Sequence, residues 1–177
     1  MAGDTYPREF LEKLVNLHQE VDAAVQPVAS RLEADLVCAR GCSGCCQDDL
    51  TVFTLEAALI RDRCPDVLAA GPAPVGACAF LDPDGACRIY PHRPYVCRTQ
   101  GLPLRWLEPG PADGETERRD VCPLNAEVME TNGRPLAQLA TGDCWTLGPW
   151  EGRLASLQAE ADGRFEVRRT ALRDLFY

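Results

Sequence analysis

Apolar residues at helical spacing mark both ends of this 177-residue chain. The N-terminal stripe lies within residues 7–26 and consists of Phe10, Leu11, Leu14, Leu17, Val21, Ala24 and Val25. Pro7 suits the first turn of that helix, and we expect Pro27 to end or kink it. Residues 149–176 predict one or two further helices. Their expected core-facing residues are Trp150, Leu154, Leu157, Phe165, Leu172 and Leu175.

The middle of the chain predicts shorter elements. "DLTVF" is a strand candidate, and Thr54 is expected to cap a helix that stops before Pro65. "CAFLDPDGACRIY" predicts a β-hairpin, with Phe80 opposite Cys87. The same register sets Cys78 opposite Ile89. Further along, the pattern predicts a helical turn after Pro94, an exposed polar loop at "LEPGPADGETERR", and a helix over "PLNAEVMET".

Together these elements predict an irregular, loop-rich α+β fold in a single domain spanning residues 1–177. We expect a cysteine-rich, metal-centred core over about residues 38–125, containing the small β-hairpin. Helical segments over 7–36 and 149–176 would pack on that core.

Composition and charge narrow the possible functions. The chain is 46% hydrophobic and 25% charged, which is typical of a soluble globular protein. Its net charge is −9 and it has no basic stripe outside the cysteine region, so we expect no nucleic-acid partner. No apolar run approaches the roughly 18–20 residues of a membrane span, and the N-terminus does not resemble a signal peptide. A cytoplasmic location is the expectation, and the sequence identifies no protein partner.

Ten cysteines are the most unusual feature, and four of them lie in "CARGCSGCC", residues 38–46. Three uses compete: a metal site, disulfides, or redox-active thiols. In a reducing compartment, metal binding or catalysis is favoured over disulfides. Thiolates are soft ligands for zinc, copper(I) and iron–sulfur clusters, and Gly41 and Gly44 allow the backbone to curl around a metal.

The spacing within this loop leaves alternatives open. Cys38, Cys42 and Cys45 form C-x3-C-x2-C, a pattern shared with radical S-adenosylmethionine enzymes. This chain is short for the β/α barrel of those enzymes, and its loop follows a predicted helix rather than a strand. Neighbouring side chains in extended backbone point to opposite sides. Therefore either Cys45 or Cys46 is a spectator, or the two residues bridge two metal sites.

Three segments taken together carry a family resemblance: "CARGCSGCC", "CAFLDPDGACRIYPHRPYVCR" and "CPLN". The chain here resembles the zinc- or iron-chelating cysteine-cluster proteins named for their CxxCxxCC motif. By position, the resemblance implies these metal ligands: Cys38, Cys42, Cys45, Cys46, Cys78, Cys87, Cys97 and Cys122. Cys64 and Cys144 lie outside the pattern and are expected to be buried packing residues. His92 is also outside it, and His18 is expected to be a packed side chain.

Arginines accompany the cysteines. A zinc ion with four thiolates carries a formal charge of about −2, which is costly to bury without compensation. We expect Arg40, Arg88, Arg93 and Arg98 to lie beside the centre and balance that charge. The alternative is that they pair with surface carboxylates.

The sequence therefore predicts a metal-binding protein that holds zinc or a [4Fe-4S]-type iron–sulfur cluster through cysteine thiolates. The triplet with one remote cysteine slightly favours a single four-iron cluster, although eight cysteines could fill two zinc sites. The alternative is an enzyme. The family includes a flagellin lysine N-methylase, which would imply S-adenosylmethionine chemistry, and Cys45–Cys46 beside Arg40 would suit thiol redox chemistry. No catalytic residue is identified, because the sequence has no recognisable nucleotide-binding loop and only two histidines.

Overall fold

The first predicted helix is one continuous element. The computed structural model describes residues 5–111 and 114–177, and its first helix, α1, spans Arg8–Arg31. Leu14 and Val21 lie on the inward face of α1 and are almost completely buried. Pro27 lies inside the helix and does not end it. A proline so near the C-terminus removes only one backbone donor, and α1 continues for another turn.

The middle of the chain forms the short elements that the pattern predicts. The bounds are β1 (Thr51–Phe53), α2 (Thr54–Arg63), α3 (Pro65–Ala69), a 3₁₀ turn (Tyr90–His92) and α4 (Tyr95–Arg98). The predicted strand, the helix before Pro65 and the helical turn after Pro94 are thereby confirmed. Thr54 is the first residue of α2 rather than its cap.

The second half of the chain adds strands and helices in alternation. These are β2 (Leu104–Pro109), β3 (Glu115–Asp120), α5 (Pro123–Thr131), 3₁₀ turns (Leu136–Gln138 and Thr141–Asp143), β4 (Trp145–Thr146), α6 (Pro149–Asp162), β5 (Arg169–Ala171) and a 3₁₀ helix (Leu172–Phe176). The α+β class with helices at both ends is confirmed.

Two small sheets connect distant parts of the chain. In one, β1 pairs antiparallel with β5, so that Val52 lies opposite Thr170. In the other, the strand order is β3-β2-β4, with β2 antiparallel to β3 and parallel to β4. Because β5 lies near the C-terminus, the first sheet holds the end of the chain against its middle.

The stretch predicted as an exposed polar loop is in fact a β-hairpin. β2 and β3 pair along their whole length, from Leu104 opposite Asp120 to Pro109 opposite Glu115, while residues 112 and 113 lie outside the described residues. Glu117 bonds Arg105 on the neighbouring strand at 2.7 Å. Oppositely charged cross-strand pairs stabilise a sheet, and such strands carry little apolar alternation to reveal them.

The hairpin segment, residues 78–89, has a different register from the predicted one. A single bridge pairs Leu81 with Cys87, so Phe80 is not opposite Cys87 as expected. The turn is tight because the Asp82 carboxylate accepts hydrogen bonds from two backbone amides, those of Asp84 and Ala86. An Asp side chain that bonds the amides following it fixes the turn locally, and this shifts the pairing by one residue.

The C-terminal segment is only half helical. Gly163 ends α6 in a left-handed conformation, with φ of 64°. Phe165 follows this break and is 100% exposed, so its predicted place in the core is wrong. Leu154, Leu172 and Leu175 are buried as expected. The helical period fails after Gly163 because β5 and a 3₁₀ helix replace the expected second helix.

Two apolar clusters stabilise the fold. The helical core lies around α1, α2, α5 and α6, and includes Leu14, Leu55, Met129 and Leu154. The cysteine-side core is a separate cluster around β1 and the hairpin segment, with these buried members: Val52, Ala57, Ile60, Cys64, Cys78, Phe80, Leu81, Ile89, Leu172 and Leu175. Four of the ten cysteines thus belong to this cluster or pack against it, namely Cys46, Cys64, Cys78 and Cys87.

A buried carboxylate connects the elements around these cores. Glu56 on α2 accepts hydrogen bonds from the backbone amides of Tyr95 at 2.7 Å and Phe53 at 3.3 Å. His18 on α1 contacts the same carboxylate through Nε2 at 3.1 Å, and both side chains are less than 5% exposed. His18 is therefore packed, as predicted, and Glu56 fixes the position of α4 relative to α1.

Across residues 5–111 and 114–177, no helix combines the length and the apolar character needed to cross a bilayer.

Candidate metal centre

The cysteine loop, residues 38–46, consists of successive tight turns. The amide of Cys42 donates to the Ala39 carbonyl at 3.0 Å, and the amide of Cys46 donates to the Ser43 carbonyl at 2.9 Å. Such turns keep the backbone curled, so the side chains of closely spaced cysteines remain near one another. The loop leads directly from the end of α1 towards β1.

Glycines allow the cysteine loop to pack against the hairpin segment. A Cβ on Gly85 would lie 3.1 Å from the Gly41 carbonyl oxygen, and both glycines have a positive φ, 77° and 87°. The amide of Cys78 also donates to the carbonyl of Cys46 at 3.0 Å. The backbone itself therefore holds the loop and the hairpin segment together.

Asn125 positions the first cysteine of the loop. This residue is completely buried in the first turn of α5. Its Nδ2 donates to the Sγ of Cys38 at 3.5 Å and to the carbonyl of Gly101 at 2.6 Å, while its Oδ1 accepts from the amide of Val37 at 3.0 Å. An N–H donor to sulfur stabilises a thiolate, and outer hydrogen bonds of this kind orient metal ligands.

Gly101 leaves the space that the sulfur of Cys38 occupies. A Cβ at position 101 would lie 2.7 Å from the Sγ of Cys38, so that only glycine fits beside the sulfur. Sequence reasoning quoted Asn125 within "CPLN" but assigned no role to Asn125 or Gly101. The available signal was spacing, because Asn125 follows Cys122 by three residues and a helix sets such residues on one face.

Cys45 and Cys46 form a coupled pair. The thiol of Cys46 donates a hydrogen bond to the sulfur of Cys45, which lowers the pKa of Cys45 to about 6. The same hydrogen bond raises the pKa of Cys46, and burial raises it further. One member of the pair is thus inclined to ionise while its neighbour keeps its proton.

Seven of the eight predicted ligands form two groups, and Cys45 lies between them, since it raises the pKa of both Cys38 and Cys97. The pKa of Cys38 is raised by burial first and then, among smaller causes, by the nearby thiolates of Cys42, Cys122 and Cys45. We call Cys38, Cys42 and Cys122 the loop group. On the other side, the thiolates of Cys78 and Cys97 raise the pKa of Cys46. The hairpin group consists of Cys46, Cys78, Cys87 and Cys97.

The hairpin group is the more deeply buried of the two. Burial, followed by the thiolates of Cys78 and Cys87, raises the pKa of Cys97 to about 12. Burial likewise raises the pKa of Cys78 and Cys87. Cys38, in contrast, is exposed as a residue, and its thiol is only partly withdrawn from solvent. Thiols gathered in an apolar setting resist ionisation, and a bound metal cation is the usual means of stabilising them as thiolates.

The four predicted arginines lie in different settings. Arg88 donates to the carbonyls of Gly71 and Ala79, and its charge lowers the pKa of Cys78 and Cys87. Arg93 also lowers the pKa of Cys87, although its guanidinium lies over the Tyr90 ring. The buried side chain of Arg98 pairs with Asp22 on α1. Arg40 is exposed.

Arg173 is a basic neighbour that sequence reasoning missed. From the C-terminal 3₁₀ helix, its guanidinium donates to the carbonyls of Ala73 and Ala77 and pairs with Asp48. Its charge lowers the pKa of Cys78. Nothing in "TALRDLFY" signals this role, since Arg173 reaches the site only through the β1–β5 pairing.

Cys64, Cys144 and His92 lie outside both groups. Cys64 and Cys144 are buried at 7% and 5% exposure, as expected of packing residues, although Cys64 lies within electrostatic reach of Cys87. The charged neighbours of His92 are Arg63 and Arg98.

All ten cysteines are free thiols, and no two of them are paired as a disulfide. Within the described ranges, no three His, Cys, Asp or Glu side chains are already spaced as the ligands of one ion.

Free thiols from the loop, the hairpin segment, α4 and the start of α5 thus converge on one region of a small α+β domain. This arrangement is typical of a domain that chelates a soft metal through sulfur.

Residues 37–123 match the family model described as "CxxCxxCC: Putative zinc- or iron-chelating domain". The matched segment begins beside Cys38 and ends beside Cys122, so it contains every cysteine of both groups. The resemblance noted in the sequence is confirmed over residues 37–123, just under half of the chain. No curated protein and no solved structure matches the chain.

Proposed function

We propose that this protein binds zinc or an iron–sulfur cluster through cysteine thiolates, in two adjoining sites of four sulfurs each. The first site would use the loop group with Cys45, and the second would use the hairpin group. The observation that carries this proposal is the position of the Cys45–Cys46 pair between the two groups. Cys45 raises the pKa of both Cys38 and Cys97, while Cys46 is influenced by Cys78 and Cys97 and its carbonyl accepts from the amide of Cys78 at 3.0 Å.

The chemistry of the donors suits such metals. Four thiolates form a common tetrahedral set for zinc and also the ordinary ligand set of an iron–sulfur cluster. The hydrogen bond from Asn125 to Cys38 is the kind of outer contact that orients a ligand. A bound metal would supply folding energy by joining the loop, the hairpin segment, α4 and α5.

The local charges also support the proposal. A zinc ion with four thiolates carries about −2, and burying that charge requires compensation. Arg88 and Arg93 lower the pKa of hairpin-group thiols, whereas the effect of Arg173 on Cys78 is offset by its partner Asp48. These arginines belong to a protein with a net charge of −9, in which acidic side chains outnumber basic ones.

The test measures zinc, iron and acid-labile sulfide per chain in protein purified without oxygen. Cys122→Ser removes a ligand of the first site, Cys97→Ser removes one of the second, and Cys144→Ala is the control, since Cys144 is buried outside both groups. We expect each ligand variant to lose about half of the bound metal, while Cys144→Ala keeps the wild-type amount.

Other outcomes would contradict the two-site arrangement. Complete metal loss in both Cys97→Ser and Cys122→Ser, with normal folding, would indicate a single shared centre. Wild-type protein without metal, whose thiols react readily with alkylating agents, would instead favour thiol redox chemistry at Cys45–Cys46.

A further inference from the structure

A cavity of about 250 Å³ lies between α1, α2 and the bend that precedes α4. Its polar and charged lining residues are His18, Gln19, Asp22, Arg63, His92 and Arg98. Drug-sized ligands usually occupy about 300–1,000 Å³, so this cavity suits a smaller molecule. The described residues that line it include no cysteine, which separates it from the candidate metal centre.

Positive charge exceeds negative charge at this cavity. Arg98 is almost completely buried, with its side chain 5% exposed, and it pairs with Asp22. The same Asp22 carboxylate also lies 3.7 Å from the guanidinium of Arg93, so two guanidinium groups share one carboxylate. Arg63 adds a further guanidinium from the last turn of α2, and its Nε pairs with the exposed Asp62 at 3.0 Å. Three guanidinium groups thus share two carboxylates.

The neighbouring histidine responds to this charge. The pKa of His92 is lowered, first by burial and then by the positive charges of Arg63 and Arg98. The Nε of Arg98 is buried and has no hydrogen-bond partner, so its guanidinium is incompletely satisfied by the protein. A cavity lined by guanidinium groups attracts small anions locally.

We propose that this cavity binds a small metabolite that carries a carboxylate or phosphate group, held between Arg63 and Arg98. The planar guanidinium fork matches both oxyanions, and such charge-assisted hydrogen bonds are stronger than neutral ones. Gln19 and His92 supply further polar groups at the wall. None of the proposed cysteine ligands lines this site, although Arg98 directly follows Cys97 in α4.

The test uses the full-length, metal-loaded protein. Binding of inorganic phosphate and of succinate is measured by calorimetry, with ionic strength held constant by sodium chloride. Arg63→Gln removes one side of the site with little risk to folding, because the Arg63 side chain is 40% exposed. Arg61→Gln is the matched control, since it removes the same charge from the same helix outside the cavity.

We expect wild type and Arg61→Gln to bind at least one of the two anions, and Arg63→Gln to bind it at least tenfold more weakly. Arg63→Lys, which keeps the charge but not the fork, should fall between them. A response to phosphate alone would identify a phosphorylated ligand, and one to succinate alone a carboxylate. If neither anion binds, or if Arg61→Gln weakens binding as much as Arg63→Gln, the proposal is overturned.

Discussion

Glu56 and Asn125 are buried polar side chains that join distant parts of the chain. Glu56 links α1, α2 and α4 through three contacts to one carboxylate. Asn125 links the cysteine loop to α5 and to Gly101. A buried donor that loses its acceptor cannot turn to water instead, so the removal of either side chain leaves its partners unsatisfied.

Replacement of Glu56 by glutamine should therefore destabilise the protein. Glutamine has one acceptor oxygen where the carboxylate has two, and its amide group would face a backbone N–H donor. We expect Glu56→Gln to lower the free energy of unfolding by about 1–3 kcal/mol. The measurement is urea unfolding of protein samples with equal metal content.

Glu12→Gln is the control for this change, since Glu12 forms only an exposed ion pair with Arg8 on α1. Its effect should stay within about 0.5 kcal/mol. Equal effects of the two substitutions would show that the Glu56 contacts do not stabilise the fold.

Sequence patterns revealed the cysteines but not these two residues. Thiols at short spacing are rare enough to identify a candidate site directly. Glu56, in contrast, lies in a run from Thr54 to Ile60 in which every residue is buried, so no amphipathic stripe separates it from its neighbours. Likewise, nothing distinguishes a buried Asn125 from a surface asparagine until α5 packs against the loop.

At the scale of elements, backbone contact between the cysteine loop and the hairpin segment decides whether the thiols meet. That contact depends on glycines, because Gly41 and Gly85 approach each other with no room for side chains. The amide of Cys78 adds a hydrogen bond to the carbonyl of Cys46. Loop and hairpin therefore behave as one assembled unit.

Gly85→Ala should reduce metal binding as well as stability. The new methyl group would lie 3.1 Å from the Gly41 carbonyl and would also strain a residue with φ of 77°. Gly133→Ala is the matched control, because its φ is 71° but nothing lies within 4 Å of the new Cβ. We expect both to lose about 1–2 kcal/mol from backbone strain, while only Gly85→Ala loses metal in elemental analysis.

Full metal content in Gly85→Ala would contradict the view that this close approach assembles the site. Comparing Gly85→Ala with Gly133→Ala separates backbone strain from the steric contact with Gly41. The two glycines share a backbone conformation, and only Gly85 has close neighbours.

Local sequence signals explain which elements could be predicted. Helix α1 follows from its apolar stripe, and the end of α5 follows from the Asn132-Gly133 pair, so both helices depend on local signals. The β2–β3 hairpin does not, because Glu117 and Arg105 stabilise it by charge and its strands alternate little between apolar and polar. The register of the hairpin segment depends on hydrogen bonds to the Asp82 side chain, which the pattern of apolar and polar residues does not reveal.

At the scale of the whole molecule, the two cores give the chain two regions of different stability. The helical core is built from residues of α1, α2 and α6 and contains Cys144 but none of the proposed ligands. The cysteine-side core includes Cys78, with Cys46 and Cys87 packed against it. The sequence predicted helices around a cysteine-rich middle, but not this division, because it depends on contacts between distant segments.

Removal of the metal should loosen one region more than the other. We expect chelator-treated protein to exchange amide hydrogens faster over residues 38–46 and 78–98, since binding energy is folding energy there. Exchange in α1 should change little. Hydrogen-exchange mass spectrometry of metal-loaded and chelated protein measures both regions, and uniform protection in both samples would contradict a role for metal in folding.

Cys45 and Cys46 are joined by a single peptide unit, and consecutive Cα atoms are about 3.8 Å apart. If the two sites fill as proposed, a shift of the backbone at one is transmitted to the other through three covalent bonds. Occupation of either site then favours occupation of its neighbour, so partly filled wild-type molecules should be scarcer than independent filling of the two sites would give.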